Sequence, residues 1–230
     1  MTTYKYETHL HTAETSKCGI STGAEFARFF KALGYTGIFV TDHFFNGNTT
    51  VPQDLPWPAR VESFCHGYEV TAQEGTRLGL DVFFGWEYSS DWAHFLTYGL
   101  GKDWLLANPD LLTWNLLRYF DRVHADGGSI VHAHPFREGV ELVQLVPDRM
   151  DAIEVVNCGR PDDANRHALD FAASFDLPRT AGSDIHSTKQ KRLCGVACSR
   201  RLMEARDYIA AVKSGEAVLF DDARPKPLGP

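Results

Sequence analysis

Histidine and carboxylate residues recur along this sequence in short motifs that could bind metal ions. The first motif contains His9 and His11, separated by one leucine, at the end of a stretch typical of a β-strand. Because side chains alternate between the faces of a strand, both imidazoles point to the same side. Imidazole nitrogens and carboxylate oxygens are common ligands of Zn²⁺, Mn²⁺ and Fe²⁺. The pair therefore indicates a metal site, provided that further ligands lie nearby.

Further motifs of this kind follow, each where an apolar, strand-like run ends or begins. Seven of the ten histidines belong to them, whereas His66, His124 and His167 fall in segments that pattern as helices. Such clustering favours metal binding over a set of unrelated core or surface histidines. After the first pair, the motif residues are Asp42 and His43 in "TDH", Glu87 in "GWEYS", His94 in "AHF", His132 and His134 in "HAHP", and Asp184 and His186 in "GSDIH".

The segments that position these motifs alternate between buried strands and amphipathic helices. In "TGAEFARFFKALGY", for example, Phe26, Phe30 and Leu33 recur at helical spacing before the apolar run "GIFV". This alternation is typical of a parallel sheet covered by helices. About seven strand–helix units favour a closed or nearly closed barrel, and no Gly-rich phosphate loop follows the first strand. Because the carboxyl ends of barrel strands share one face, the motifs should converge there.

The composition is that of an ordinary folded protein and argues against some classes of partner. The 230 residues are 43% hydrophobic and 23% charged, with a net charge of −7. An acidic chain is a poor partner for duplex nucleic acid, whose phosphates require a basic face.

No apolar run approaches the ~18 residues of a membrane span, and no signal-peptide pattern is present. We expect one cytoplasmic domain over residues 1–230 with a frayed tail at 224–230, and the sequence leaves the oligomeric state open.

The five cysteines are predicted to be reduced thiols. Their number is odd and the chain is large enough to fold without disulfides. Cys194 and Cys198 are spaced by three residues without a second pair, which argues against a structural zinc site. Cys18 lies close to the candidate ligands in sequence, and we interpret it as a packing or loop residue.

Together, the motifs resemble the polymerase-and-histidinol-phosphatase (PHP) family of metal-dependent phosphoesterases. They follow the family's order from about residue 5 to residue 187, and their combination is specific although no single motif is. The resemblance implies an α/β fold, a distorted (β/α)₇ barrel of the TIM-barrel type in a single domain. It implies two to three divalent ions (Zn, Mn or Fe) and a small phosphorylated substrate, hydrolysed at a phosphate monoester. Histidinol phosphate, nucleotides and sugar phosphates all remain open.

The resemblance also distributes the ligands over three ions, with Glu87 bridging two of them. It implies His9, His11, Glu87 and Asp184 for the first ion, Glu87, His94 and His134 for the second, and His43 and His186 for the third.

Two ligands remain to be identified: the histidine of "HAHP" that binds metal, and the residue that completes the third site. Strand spacing places His132 and His134 on the same face and does not separate them, but the family's His-Pro pattern favours His134, with His132 as a supporting neighbour. The family usually has "S-D-G" or a histidine shortly after the first motif, where this chain has "TAETSKCG". Ser16 is a weak ligand, so we predict that Glu14, the nearest carboxylate, completes the third site.

The expected chemistry is in-line attack of a metal-activated water on phosphorus, with Glu87 and Asp184 as candidate catalytic residues. Arg137 is a candidate phosphate clamp because a guanidinium matches phosphate bidentately, and Arg160 is a second candidate. For both arginines, a surface salt bridge is the alternative.

Two polar residues are expected to support the site. Asn157 could orient a ligand or the substrate, and Asp42 could fix the tautomer of a neighbouring histidine.

Two other classes of function remain open. One is a metal-dependent hydrolase of another bond, such as an amide, on a similar barrel. Amidohydrolases usually add a ligating lysine in mid-chain, and none ends a mid-barrel strand here. The other is a catalytically silent metal-binding module, against which the near-complete ligand set argues. Serine chemistry is not supported, because no "G-x-S-x-G" nucleophile motif occurs.

Overall fold

Strands and helices alternate along the computed structural model, which describes residues 3–222. The tail predicted at 224–230 lies outside the described residues. The strands are β1 (Tyr4–Glu7), β2 (Gly37–Val40), β3 (Asp81–Ser90), β4 (Ala93–Tyr98), β5 (Ser129–Ala133), β6 (Ala152–Asn157), β7 (Arg179–Gly182), β8 (Cys194–Cys198) and β9 (Val218–Asp221). The helices are α1 (Gly23–Ala32), α2 (Trp57–Leu78), α3 (Lys102–Ala107), α4 (Leu116–Ala125), α5 (Asp162–Ser174) and α6 (Ala205–Lys213).

The strands form one sheet in the order β7-β6-β5-β4-β3-β2-β1-β8-β9. Strands β1, β2 and β3 are mutually parallel, as are β5, β6 and β7. Strand β4 is antiparallel to both of its neighbours, because only Asp91 and Trp92 connect it to β3. Its first residues therefore lie at the same face as the last residues of the parallel strands. Strands β8 and β9 are also antiparallel to their neighbours, so the predicted parallel sheet is interrupted.

The sheet closes into a barrel where the chain runs on beyond β1 and β7. Leu10 and Ile185 form a parallel bridge, in which His11 N donates to Ile185 O at 2.9 Å and Ile185 N donates to His9 O at 3.1 Å. Both bridging side chains are fully buried. The predicted distorted α/β barrel is thus confirmed, and its seam lies beside the first histidine motif.

The helices differ in detail from the pattern-based expectation. The segment "PDLLTWNLLRYFDRVHADGG", with a proline near its start and glycines at its end, predicts a single helix over 109–128, but the structure has a 3₁₀ turn at Leu111–Thr113 followed by α4. The break occurs at Asn115, whose side chain accepts a hydrogen bond from Arg118 N at 2.9 Å and so caps the new helix. Helix α3 and strand β8 were not predicted. No helix within residues 3–222 is long and apolar enough to cross a membrane.

Ile185→Ala tests the seam. Removing this buried side chain should lower the free energy of unfolding by about 2–5 kcal/mol. Denaturant unfolding in the presence of a chelator would measure it without a contribution from bound metal. Leu117→Ala is the control, because Leu117 is 53% exposed on α4 and its loss should cost less than about 0.5 kcal/mol. An equally small effect for Ile185→Ala would contradict closure at this pair.

Candidate metal centre

Glu87, on β3, lies at the centre of a buried group of imidazoles. Its Oε1 is 2.8 Å from His94 Nδ1 and 3.0 Å from His134 Nε2. Its Oε2 is 2.6 Å from His43 Nδ1 and 3.5 Å from His11 Nε2. Burial alone would raise the pKa of Glu87, but the positive charge of His94 and His43 holds it well below its usual range. Glu87 is therefore an ionised carboxylate with imidazoles on both of its oxygens.

Asp184, after β7, meets the first histidine pair across the seam. Its Oδ1 lies 3.6 Å from His9 Nε2 and 3.3 Å from His11 Nε2, and the two Nε2 atoms are 3.1 Å apart. The backbone of Asp184 has a φ of 50°, and that of His134 has a φ of 28°. Such left-handed conformations cost about 1–3 kcal/mol for non-glycine residues and often occur at functional sites.

Glu154, on β6, orients His9; the sequence motif "EVVN" places it at a strand end with Asn157 but assigns it no role. Its Oε1 lies 2.9 Å from His9 Nδ1, so this nitrogen donates and Nε2 keeps its lone pair toward Asp184. Its Oε2 accepts hydrogen bonds from His134 N at 2.9 Å and from Asn157 Nδ2 at 2.8 Å. Asn157 is fully buried and thus positions Glu154. Although burial opposes the charge of His9, the Glu154 and Asp184 carboxylates raise its pKa well above its usual value, so a metal ion that binds Nε2 would displace a proton from it.

Glu7, on β1, ties the two sides of the seam together and was not singled out from the sequence. Its Oε1 accepts hydrogen bonds from the backbone N–H groups of Thr8, His9 and Ser183, each at 2.9 Å. Burial raises the pKa of Glu7 to about 7 despite these bonds. Nothing in the sequence marks this residue, because its role depends on the approach of β7.

A second imidazole group contains His11, His43 and His186. The His11 ring stacks on His43 with centroids 4.2 Å apart, and on His186 at 4.6 Å. His43 Nε2 lies 3.2 Å from Cys18 Sγ. Burial would raise the pKa of Cys18, but hydrogen bonds with His186 and His43 lower it to about 6. Cys18 is therefore part of the site, contrary to its interpretation as a packing residue.

Glu14 is placed away from the imidazoles. Both of its carboxylate oxygens accept from Gly23 N, at 3.0 and 3.1 Å, where α1 begins. The partial positive charge of a helix N-terminus favours an anion at this position. The predicted role of Glu14 as a ligand is therefore corrected to helix capping.

Asp42 acts on the histidines indirectly. Its Oδ1 accepts a hydrogen bond from Ser16 Oγ at 2.7 Å, and Ser16 Oγ lies 3.4 Å from His11 Nδ1. Because the hydroxyl proton is directed to Asp42, the His11 Nδ1–H is the donor to Ser16, and Nε2 is left with a lone pair. Ser16 Oγ also accepts from His43 N at 3.0 Å. Asp42 thus fixes a histidine tautomer through Ser16.

His132 and His134 are separated by the backbone turn at the end of β5. The strand ends at Ala133, and His134 turns its ring toward Glu87. The His132 ring packs against Phe95 with centroids 4.9 Å apart, and neither ring nitrogen has a hydrogen-bond partner within residues 3–222. Burial lowers the pKa of His132 to about 3, so the ring is neutral near pH 7. The predicted supporting role of His132 at the site is thus corrected to a core position.

The cluster lies in a pocket of about 430 Å³ that two arginines also line. Arg137 Nε bonds Glu138 at 2.7 Å, and its Nη1 is 3.3 Å from both ring nitrogens of His94. Arg160 Nη2 donates to Asp184 Oδ2 at 2.8 Å, while its Nε is buried without a hydrogen-bond partner in the described structure. Arg160 therefore contacts a candidate ligand directly and brings a positive charge to the pocket.

The donor set fits divalent metal ions. His43 Nδ1 and Glu87 Oε2 are 2.6 Å apart but are not oriented for a hydrogen bond, and both are buried. Nitrogen and carboxylate donors that face each other in this way match the ligand chemistry of zinc, manganese and iron. Groups whose ligand atoms lie within 4.8 Å of one another are His9–His11–Asp184, His9–Glu87–His134, His43–Glu87–His94 and His11–His43–His186.

Comparison with known proteins relates the fold to PHP-type proteins. No family model matches the sequence. A curated 5′-3′ exoribonuclease from Haemophilus influenzae is 33% identical over 73 residues, which are 29% of this chain and 27% of that protein. The chain thus spans about a quarter of the length of this relative.

Solved structures give a broader match. A two-domain protein from Bacteroides vulgatus, containing a predicted PHP-like metal-dependent phosphoesterase, superposes with a TM-score of 0.70 at 17% identity, over 95% of this chain and 65% of that one. The lesion-specific endonuclease EndoQ from Pyrococcus furiosus has a TM-score of 0.64 at 14% identity, over 93% of this chain and 56% of that one. The chain therefore has the PHP fold.

Glu154→Gln tests the support of His9. The amide cannot supply the charge that holds His9 Nδ1 protonated, so metal affinity should fall by about 10–100-fold. Competition with a chromogenic chelator would measure it. Glu216→Gln is the control, because Glu216 contacts Ser199 and Arg200 far along the chain. Equal affinities for the two variants would contradict the role of Glu154.

His132→Leu tests the core assignment. Removing a buried ring without hydrogen-bond partners should raise the free energy of unfolding by about 1–3 kcal/mol. Elemental analysis should find the metal content unchanged. A loss of metal in the folded variant would show instead that this ring serves the site.

Proposed function

We propose that this chain is a metal-dependent phosphoesterase that hydrolyses the phosphate monoester of a small molecule. One observation carries the proposal: four overlapping groups of imidazoles and carboxylates lie at a pocket that two arginines also line. Metal ligands alone would suit many hydrolases. Ligands combined with guanidinium groups suit an anionic, tetrahedral substrate group such as phosphate.

Three ions would be held by residues that the barrel brings together. His9, His11 and Asp184 would hold the first, and Glu87 and His134, with His94, the second. His43 and His186 would contribute to the third. Bound at these positions, the ions would lower the pKa of a water near phosphorus and neutralise the phosphoryl oxygens.

The protein residues supply orientation and charge. Glu154 and Ser16 keep the Nε2 lone pairs of His9 and His11 directed inward, because each accepts a hydrogen bond from the Nδ1–H of its histidine. Arg160 holds Asp184 Oδ2 through Nη2 and lines the pocket, so its guanidinium brings a positive charge to a phosphate bound there. Arg137 covers His94 at the pocket and brings a second positive charge.

The pocket favours a small substrate. Its volume of about 430 Å³ is within the range of about 300–1,000 Å³ that is usual for small-molecule sites. The net charge of −7 also disfavours a long polyanion. No lysine lines the pocket among the described residues, which weighs against an amidohydrolase-like site.

A second candidate function is cleavage of a phosphodiester at the end of a nucleic-acid strand. It is favoured because the curated relative is named as an exoribonuclease and one structural neighbour as an endonuclease. A single-stranded end could reach the pocket without the extended basic face that duplex binding requires.

One experiment separates the candidates. Purified protein is analysed for metal content, with more than two ions per chain expected after reconstitution. It is then assayed against phosphorylated metabolites, 5′-phosphorylated and unphosphorylated single-stranded oligonucleotides, and amides. Release of phosphate from small monoesters alone supports the proposal. Shortening of oligonucleotides would favour the second candidate, and a metal-loaded sample inert to every phosphate ester would contradict both.

Glu87→Gln tests the bridging carboxylate. A neutral amide cannot bind two cations, so hydrolysis should fall below detection and metal content should drop by at least about one ion per chain. Circular dichroism would confirm that the variant is folded. Glu69→Gln is the control, because Glu69 is exposed and pairs with Lys102. Full activity of a folded Glu87→Gln protein would show that another residue bridges the ions.

A further inference from the structure

The loop after β1 brings a thiol to the second imidazole group, at the histidines His43 and His186. Cys18 Sγ lies 3.2 Å from His43 Nε2, and Cys18 lines the pocket together with His43 and His186. His186 Nδ1 donates to Asp184 O at 2.8 Å, so its Nε2 is the nitrogen left to act as a ligand. A sulfur and two imidazoles therefore face a common space.

We infer that Cys18 is a thiolate ligand of the third metal ion, together with His43 and His186. The inference rests on the metal centre of the proposed function and specifies its ligand set. It replaces Glu14, whose carboxylate is bonded to the start of α1.

The distances are compatible with a shared ion. With a Zn–S bond of about 2.3 Å and a Zn–N bond of about 2.0 Å, a tetrahedral ion separates sulfur and nitrogen by about 3.5 Å. The observed 3.2 Å separation between Cys18 Sγ and His43 Nε2 needs to widen only slightly.

The backbone holds Cys18 in this position from both sides. Lys17 N donates to Asn48 O at 2.9 Å, Gly19 N donates to Ser16 O at 2.9 Å, and Ile20 N donates to His186 O at 2.8 Å. Gly19 is required by this turn, since a Cβ there would lie 2.2 Å from the carbonyl oxygen of Thr12. The thiol is thus fixed against the backbone of the residue with which it would share the ion.

A thiolate ligand would make the metal preference of the third site different from that of the first two sites. A soft thiolate ligand favours zinc, whereas carboxylate oxygens suit manganese and magnesium. The first two positions are built from nitrogen and oxygen donors only. The third ion should therefore be retained as zinc when manganese is in excess, whereas the other two exchange.

Cobalt substitution tests the inference without any assay of turnover. The Co²⁺-loaded protein should show a near-ultraviolet sulfur-to-cobalt charge-transfer band, which Cys18→Ser should abolish and Cys158→Ser should retain. Cys158 is the matched control because it is another partly buried free thiol. Zinc content should fall by about one ion per chain in Cys18→Ala and stay unchanged in Glu14→Gln. Cys18→Asp should restore the ion but bind manganese in preference to zinc.

A second measurement does not depend on any variant. X-ray absorption at the zinc edge of the wild-type protein should detect sulfur at about 2.3 Å, amounting to one sulfur per chain and thus about a third of a sulfur per zinc when three zinc ions are bound. Absence of sulfur scattering from the fully loaded protein, or a charge-transfer band that persists in Cys18→Ser, would overturn the assignment. Neither result would contradict the proposed phosphoesterase activity, because neither readout measures hydrolysis.

Discussion

The ionised carboxylate of Glu87, buried among histidines, is the constraint on which the rest of the site depends. It is fully buried, and five imidazoles lie within 3.5 Å of its oxygens. An isolated buried carboxylate would cost several kcal/mol, so the fold is stable with Glu87 charged only if cationic partners surround it. Protonated histidines can provide this charge in part, and divalent ions between the same atoms would provide it more fully.

The barrel seam brings these partners together. Backbone bonds between the segments after β1 and β7 place His9 and His11 opposite Asp184. Gly182 allows this approach, since a Cβ there would lie 2.6 Å from both Glu154 Oε1 and His9 Cβ. Around the ligands, buried acids such as Glu154 then fix which ring nitrogen is free. The result is a set of preoriented lone pairs, which lowers the entropy cost of metal binding.

Much of this arrangement could be predicted from the chain itself. The strand-end motifs predicted imidazole nitrogens and carboxylate oxygens as the metal ligands. The alternation of strands and helices predicted the barrel that brings these ligands to one face. The reversal of β4 was not predicted, although it is what places His94 beside Glu87. Glu7 was missed and Glu154 was given no role, because their partners just after β1, β5 and β7 become neighbours only through sheet pairing.

The sequence by itself determined the barrel class, the order of the ligand motifs and the donor chemistry, because periodicity and residue type are local properties. Only the tertiary structure decided which of these side chains reach the site and which residues they contact there. His134 reaches Glu87 while His132 enters the core, because a left-handed φ at the end of β5 breaks the strand alternation. Glu14 is directed to a helix N-terminus and Cys18 to the imidazoles, because the loop that contains the thiol is fixed by backbone hydrogen bonds to the carbonyl oxygens of Asn48, Ser16 and His186.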